Sequence, residues 1–229
     1  MSGKTPVAVL ISGRGSNFSA LHAASLAADY PARIALVLSN RPDAPGLEHA
    51  REAGLPTAVI DHREYRGARE KFDAALDARL REAGVEVVAL AGFMRLLTEE
   101  FVAAWQDRLI NIHPSLLPSF PGLHTHARAL AAGVKLHGCT VHLVRAEMDS
   151  GPIIAQAAVP VWPDDTEDTL AARVLAQEHR VYPFALGLLA SGRVRVVGDR
   201  AVIDAACAPD VLLNPLLPPA LLPRGAGAA

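Results

Sequence analysis

The chain has 229 residues, 51% of them hydrophobic, and a formal net charge of -2 at pH 7. This length allows one large domain or two small ones with a buried core, and the balanced charge argues against a nucleic-acid partner, whose phosphates select basic surfaces. The sequence has no apolar run near the roughly 20 residues of a membrane span, no secretion-signal pattern at its start, and only two cysteines, too few for a disulfide framework. We therefore expect a cytoplasmic protein that binds neither membranes nor nucleic acid.

In chain order, the first half of the sequence alternates strands with helices. Strands are predicted at residues 7–12, 34–38, 57–60, 85–90 and 109–113, and helices at residues 18–28, 46–53, 68–82 and from residue 98. Continuous apolar runs bounded by Gly or Pro are typical of strands buried on both faces of a parallel sheet. Five such alternations favour a doubly wound, mostly parallel α/β sheet.

After residue 121 the pattern changes. Two apolar segments, at residues 139–144 and 153–161, resemble strands that flank a loop. A long helix at residues 166–189 opens on an acidic first turn that suits the helix dipole. A terminal hairpin is predicted at residues 193–197 and 201–203. The C-terminal part of the sheet is therefore expected to be mixed rather than parallel.

The strand at residues 109–113 presents two polar side chains. Asn111 and His113 lie two residues apart, so they face the same side of the strand, at the end of the sheet where open α/β folds bind ligands. An amide can stabilise an oxyanion, and an imidazole can move a proton near neutral pH. The prolines at 114, 118 and 121 make the following loop rigid. The pattern favours an acyl-transfer site over the alternative, an ordinary strand end.

A catalytic histidine generally has a carboxylate partner that orients it or balances its charge. The candidate is Asp149, which lies in the turn at residues 148–152 just before a predicted strand. A nearby carboxylate favours the imidazolium form of a histidine. Glu147 is the competing candidate for the same role.

The first strand is followed by a glycine-rich turn. Gly13, Gly15, Ser16 and Asn17 stand between this strand and the first helix. Glycines let a ligand approach the backbone, and free amides at a helix N-terminus attract anions. The spacing matches neither the dinucleotide nor the nucleoside-triphosphate fingerprint, so a monophosphate fits better. The alternative is a tight turn in which Ser16 or Asn17 caps the helix.

The remaining histidines and the cysteine give weaker signals. A metal site at His124 and His126 is disfavoured, because no third ligand accompanies the pair. Capping or packing roles are expected for His124, His126, His137 and His142. Cys139 lies in an apolar strand and is expected to be buried and inert.

Four segments carry a resemblance to a known family: LISGRGSN (10–17), ALAGFMR (89–95), NIHPSLLP (111–118) and PGLHTH (121–126). Residues 137–138, 148–154 and 177–179 extend it. Taken together, they resemble the phosphoribosylglycinamide formyltransferases, with order and spacing in agreement from about residue 6 to residue 197. The resemblance implies a Rossmann-like formyltransferase fold. It also implies formyl transfer from 10-formyltetrahydrofolate, as co-substrate, to the amine of glycinamide ribonucleotide, a step of de novo purine biosynthesis.

The resemblance assigns roles to three groups of residues. The catalytic trio would be Asn111, His113 and Asp149. The ribonucleotide and its phosphate would be bound by Gly15, Ser16, Asn17, Pro114 and Glu178. The folate would be bound by Arg69, Met94, Arg95, Leu96 and Leu97 together with Asn111. Neither a metal ion nor a covalent enzyme intermediate is implied, and the protein would be a monomer or a homodimer.

The same likeness suggests how the chain is divided. One formyltransferase domain at residues 1–205 would have a phosphate-binding half at about 6–105 and a folate-binding and catalytic half at about 106–205. The Pro- and Ala-rich tail at 206–229 is expected to wrap the surface or to be partly disordered. Two features depart from the family pattern: the tail, and Arg14, which replaces a small polar residue in the phosphate loop.

Three alternatives share the fold or the trio. Formyltetrahydrofolate deformylase resembles this chain preceded by a regulatory domain, but its catalytic histidine is usually followed by a second His, whereas Pro114 follows here. Methionyl-tRNA formyltransferase would need an added C-terminal RNA-binding domain and a basic surface. A non-catalytic folate or nucleotide binder on the same fold would have no need for all three polar groups.

Overall fold

The computed structural model describes residues 3–204, so the predicted tail at 206–229 lies outside the described residues. The central sheet contains seven strands: β1 (Thr5–Ile11), β2 (Ala32–Ser39), β3 (Thr57–Val59), β4 (Val87–Leu90), β5 (Leu109–His113), β6 (Leu136–Leu143) and β7 (Ile153–Pro160). Six α-helices accompany it: α1 (Ser16–Ser25), α2 (Pro45–Glu52), α3 (Arg69–Glu82), α4 (Glu99–Ala104), α5 (Thr125–Ala131) and α6 (Glu167–Ala190). A 3₁₀ turn spans His62–Tyr65, and a hairpin of β8 (Val194–Val197) and β9 (Arg200–Ile203) ends the described part.

The strand order in the sheet is β3-β2-β1-β4-β5-β6-β7. The first five strands are parallel, whereas β6 and β7 are antiparallel to their neighbours. This confirms the predicted doubly wound, mostly parallel sheet with a mixed C-terminal part. Because β1, β4 and β5 are neighbours and run the same way, their carboxyl ends meet at one edge of the sheet. The loops that carry the predicted site residues leave from that edge.

Both faces of the parallel sheet are covered. Along β1, Val7, Val9 and Ile11 belong to one buried cluster, and Ala8 and Leu10 belong to the other. The first cluster includes side chains of α1 and α6, and the second includes side chains of α3 and α4. Burial on both faces is the reason why the strands are continuous apolar runs in the sequence.

Helix α6 is tied to the strand ends that border the site. Thr166 caps its first turn through a reciprocal pair of hydrogen bonds with Thr169. Further along, the hydroxyl of the buried Tyr182 donates to the carbonyl of Leu90 at 3.0 Å and lies 3.3 Å from that of Ile110. The helix therefore packs against the end of β4 and the neighbouring part of β5.

The structure departs from the predicted elements in a few places. Helix α1 begins at Ser16, two residues earlier than expected, because Gly15 takes the left-handed conformation at its N-cap. Helix α5, which follows the Pro- and Gly-containing loop after β5, was not predicted. None of the helices among residues 3–204 is long and apolar enough to cross a membrane. The division into two functional halves stays a prediction.

Candidate active site

Strand β5 places the first two predicted site residues together. On the antiparallel strand β6, His142 lies opposite Asn111 and Thr140 lies opposite His113. His113 is buried, with 6% of its surface exposed. Its Nδ1 lies 3.5 Å from Oδ2 of Asp149. The structure thus brings the three residues of the expected catalytic trio into one cluster.

The loop before β7 holds Asp149 in place. Its Oδ2 accepts a hydrogen bond of 2.8 Å from the backbone N–H of Gly122, and its backbone is left-handed, with φ 56°. A Cβ at Gly151 would collide with the carbonyl oxygen of Leu143, so this turn depends on the glycine. The competing candidate Glu147 is exposed. Asp149 is therefore the carboxylate that faces His113.

The second ring nitrogen of His113 is also engaged. Its Nε2 lies 3.0 Å from the carbonyl oxygen of Phe120, in the loop that follows β5. A carbonyl can only accept, so this nitrogen carries the proton and donates. Both ring nitrogens of His113 thus face hydrogen-bond acceptors. A substrate oxygen that binds Nε2 must displace the Phe120 carbonyl.

His142 belongs to the same cluster, although the sequence indicated only a capping or packing role for it. Its Nε2 lies 3.4 Å from Nδ2 of Asn111 and 3.9 Å from Oδ1 of Asp149. Burial lowers the pKa of His142. The signal that could have identified it is the register of β6 against β5, which the sequence alone does not provide.

In the glycine-rich turn after β1, the backbone passes close to the start of helix α2. Gly15 is left-handed, with φ 75°, and a Cβ there would lie 3.2 Å from Cα of Gly46. No side chain caps α1, and its first turn contains no acidic residue. The predicted alternative, a cap by Ser16 or Asn17, is therefore wrong. The uncapped amides at the start of α1 can receive an anion.

A buried carboxylate lies behind this loop. Nδ2 of Asn17 donates to Oε2 of Glu178 on α6 at 2.7 Å, whereas Oδ1 of Asn17 is buried without a hydrogen-bond partner among residues 3–204. Burial raises the pKa of Glu178, and the hydrogen bond from Asn17 acts in the opposite direction. The structure thus joins two of the predicted ribonucleotide-binding residues, and the unpartnered oxygen could bind a ligand donor.

The expected folate-binding segment leaves the neighbouring strand β4. The hydroxyl of Ser12 accepts from the backbone N–H of Met94 at 2.8 Å and donates to Oδ1 of Asn40 at 2.6 Å. Met94 and Leu96 are 74% and 62% exposed. The register of β4 against β5 pairs Leu90 with Asn111, so this exposed apolar segment lies next to the trio.

Two of the expected folate-binding residues are arginines, one within that segment and one on α3. The guanidinium of Arg95 stacks 4.7 Å above the ring of Phe72. The Nε atom of Arg95 is buried and has no hydrogen-bond partner among the described residues. Arg69, the first residue of α3, is exposed. Both arginines act on the buried carboxyl of Asp73 and oppose the rise in its pKa that burial causes. The two arginines therefore place positive charge around the same buried carboxyl group.

A second histidine pair lies beneath the loop after β5. Nε2 of His137 is 3.2 Å from Nδ1 of His126, and the ring of Phe120 packs edge-on against His137. Burial is the main reason why the pKa of His137 falls to about 4. Within residues 3–204, no three His, Cys, Asp or Glu side chains are grouped as metal ligands. Cys139 is buried and free, as expected, and burial raises its pKa to about 12.

Comparisons with curated proteins identify relatives over most of the chain. It is 44% identical to the phosphoribosylglycinamide formyltransferase of Escherichia coli over 198 residues, which cover 86% of this chain and 93% of that protein. It is 52% identical to the trifunctional purine biosynthetic protein adenosine-3 of Gallus gallus over 193 residues, 84% of this chain. The chain spans only 19% of the length of that trifunctional relative.

Solved structures share the fold. Glycinamide ribonucleotide transformylase 1 of Symbiobacterium toebii has a TM-score of 0.85 and 48% sequence identity, covering 89% of this chain and 95% of that one. A formyltetrahydrofolate deformylase of Pseudomonas syringae has a TM-score of 0.81 but 27% identity, and the match covers 66% of that longer chain. The family described as "Formyl transferase" matches residues 5–186. The chain therefore belongs to the formyl transferase family.

Proposed function

We propose that the chain is a phosphoribosylglycinamide formyltransferase. It transfers the formyl group of 10-formyltetrahydrofolate to the amine of glycinamide ribonucleotide, giving formylglycinamide ribonucleotide and tetrahydrofolate. The observation that carries the proposal is the cluster of Asn111, His113 and Asp149 at the same edge of the sheet as the uncapped N-terminus of α1. The relatives that carry this name and match over nearly their whole length support it.

The reaction follows from the chemistry of the cluster. The substrate amine attacks the formyl carbon, and the carbonyl oxygen of the formyl group becomes an oxyanion. The Asn111 amide and the Nε2–H of His113 donate to that oxygen once the Phe120 carbonyl has moved away. Each well-placed donor contributes roughly 3–4 kcal/mol of transition-state stabilisation.

The tetrahedral intermediate then collapses and expels the folate nitrogen. That nitrogen takes up a proton while the former amine loses one. Asp149 keeps His113 charged and, through a water molecule, assists this proton transfer. No covalent bond between enzyme and substrate forms at any stage.

The two substrates bind at neighbouring loops. The ribonucleotide phosphate binds the amides of Gly15, Ser16 and Asn17, and the Glu178 carboxylate and Pro114 contact the rest of the ribonucleotide. The folate binds along residues 94–97, with Arg95 and Arg69 as its charged neighbours. A cytoplasmic location, a monomeric or homodimeric state and catalysis without a metal ion are parts of the same proposal.

The test is the consumption of 10-formyltetrahydrofolate, followed by absorbance, with and without glycinamide ribonucleotide. We expect consumption only when the ribonucleotide is present. Consumption without it would instead identify a deformylase. This is the competing function because a formyltetrahydrofolate deformylase shares the fold at 27% identity. His113→Ala should abolish turnover while ribonucleotide binding survives, and normal turnover in that variant would refute the mechanism.

A further inference from the structure

His142 contacts two members of the proposed catalytic trio but has no assigned part in the reaction. It lies on β6 directly opposite Asn111, and only 2% of its surface is exposed. Its Nε2 is 3.4 Å from Nδ2 of Asn111 and 3.9 Å from Oδ1 of Asp149. A buried imidazole in this place must have a definite protonation state to satisfy its neighbours.

The other ring nitrogen identifies the tautomer of His142. Its Nδ1 lies 3.0 Å from the carbonyl oxygen of Leu143. Because a carbonyl oxygen can only accept, Nδ1 carries the proton and donates. In the neutral ring, Nε2 is then unprotonated and can only accept. The opposite tautomer would place a lone pair of Nδ1 against the Leu143 carbonyl.

The surroundings of His142 favour this neutral ring. Burial is the largest influence and lowers its pKa, and the charge of His113 acts in the same direction. The Leu143 carbonyl and the Asp149 carboxylate oppose it but do not reverse it. Among residues 3–204, His113 and Asp149 are the titratable side chains that act on this ring.

An acceptor at this position determines how the Asn111 amide is turned. With Nε2 unprotonated, the Asn111 side chain must present an N–H to it. If the amide were flipped, Oδ1 and Nε2 would face each other as two acceptors, which is unfavourable. In this orientation, the second N–H of the same Nδ2 group has no hydrogen-bond acceptor among residues 3–204 and can donate to the substrate.

We propose that His142 is a positioning residue for formyl transfer: its Nε2 accepts from Asn111 and thereby fixes the amide with an N–H, rather than Oδ1, available to the oxyanion. The inference rests on the proposed function, since the oxyanion belongs to that reaction. The tautomer of His142 on which it depends is a property of the protein without substrates.

Two substitutions at His142 distinguish the contributions of its two ring nitrogens. His142→Asn can keep a donor near the Nδ1 position but has no acceptor at the Nε2 position, whereas His142→Gln can place its Oε1 there. We expect the Asn variant to lose roughly tenfold to a hundredfold in kcat, below the 10²–10³ cost of removing an oxyanion donor outright. KM for both substrates should change little, and the Gln variant should recover most of kcat. Equal losses in both variants would overturn the proposal.

A double-mutant cycle with Asn111→Ala tests whether His142 acts through Asn111. In that background, His142→Asn should cause no further loss of kcat, because the amide that it orients is gone. Independent, additive losses would contradict the proposal.

The tautomer of His142 can be measured whether or not the protein transfers a formyl group. We expect the ¹⁵N shifts of the labelled, unsubstituted protein to identify His142 as protonated at Nδ1 only. Protonation at Nε2 would overturn the positioning role. A failure of the proposed function would instead appear as absent ribonucleotide-dependent turnover with the tautomer unchanged, so the two failures are distinguishable.

Discussion

The clearest perturbation of the site is Asp149→Asn. The new side chain has almost the same shape, its carbonyl oxygen can still accept from the Gly122 N–H, and asparagine tolerates the left-handed backbone at this position. What is lost is the negative charge 3.5 Å from Nδ1 of His113. The variant therefore isolates the electrostatic part of the interaction.

The size of the effect follows from that distance. Two unit charges 3.5 Å apart attract by about 5 kcal/mol at an effective dielectric constant near 20. Part of this attraction is offset, because the neutral amide is easier to bury than a carboxylate. A net loss of about 3–4 kcal/mol from the transition state corresponds to a decrease in kcat of roughly 10²–10³-fold. KM for both substrates should stay within about threefold, because the lost interaction acts on the reacting atoms.

Steady-state formyl transfer measures both parameters, and the chain offers a matched control. Asp107 also has a left-handed backbone, with φ 60°. Its carboxylate, however, forms an ion pair of 2.6 Å with Arg145 and does not contact the trio. Asp107→Asn should leave kcat unchanged. A kcat for Asp149→Asn within about fivefold of the unsubstituted protein would refute the electrostatic role.

Two further predictions concern the phosphate loop and the buried histidines. Arg14 is exposed between Gly13 and Gly15, so Arg14→Ala should raise KM for the ribonucleotide by about three- to tenfold without changing kcat. Arg33→Ala, an exposed charge at the start of β2, is the control, and an equal rise there would contradict a local phosphate contact. Burial lowers the pKa of His137 from 6.5 to about 4, so the unfolded chain binds this proton first and stability falls as the pH drops below 6.5. The free energy of unfolding from urea titrations at pH 7 and pH 5 should therefore fall less in His137→Gln, and an unchanged difference would contradict this.

The sequence predicted those parts of the site that depend on local pattern. The strand period alone places Asn111 and His113 on one face, and the sheet order brings β1, β4 and β5 to a common edge. The turn residues around Asp149 indicated an accessible carboxylate. Its distance from His113 depends on a loop 36 positions further along the chain, so the sequence left Glu147 as a competing partner, and only the structure shows which carboxylate faces the ring.

The rest of the site depends on long-range geometry. His142 reaches Asn111 only because β6 runs antiparallel to β5 in one register, and a shift of one residue would turn its ring to the opposite face. The contact between Phe120 and His113 requires the loop to fold back with a left-handed residue at Phe120. The alternative interpretation of the glycine-rich turn, a cap by Ser16 or Asn17, is wrong because the N-cap residue is Gly15, which has no side-chain acceptor.

The measurement that tests the central claim most directly follows the formyl carbon itself. Purified protein would be incubated with 10-formyltetrahydrofolate labelled with ¹³C in the formyl group and with glycinamide ribonucleotide, and the products separated by mass. We expect the label to enter formylglycinamide ribonucleotide in an amount equal to that of the tetrahydrofolate released, and we expect no transfer of the label by the His113→Ala variant. Release of the label as formate, with the ribonucleotide unmodified, would contradict this expectation.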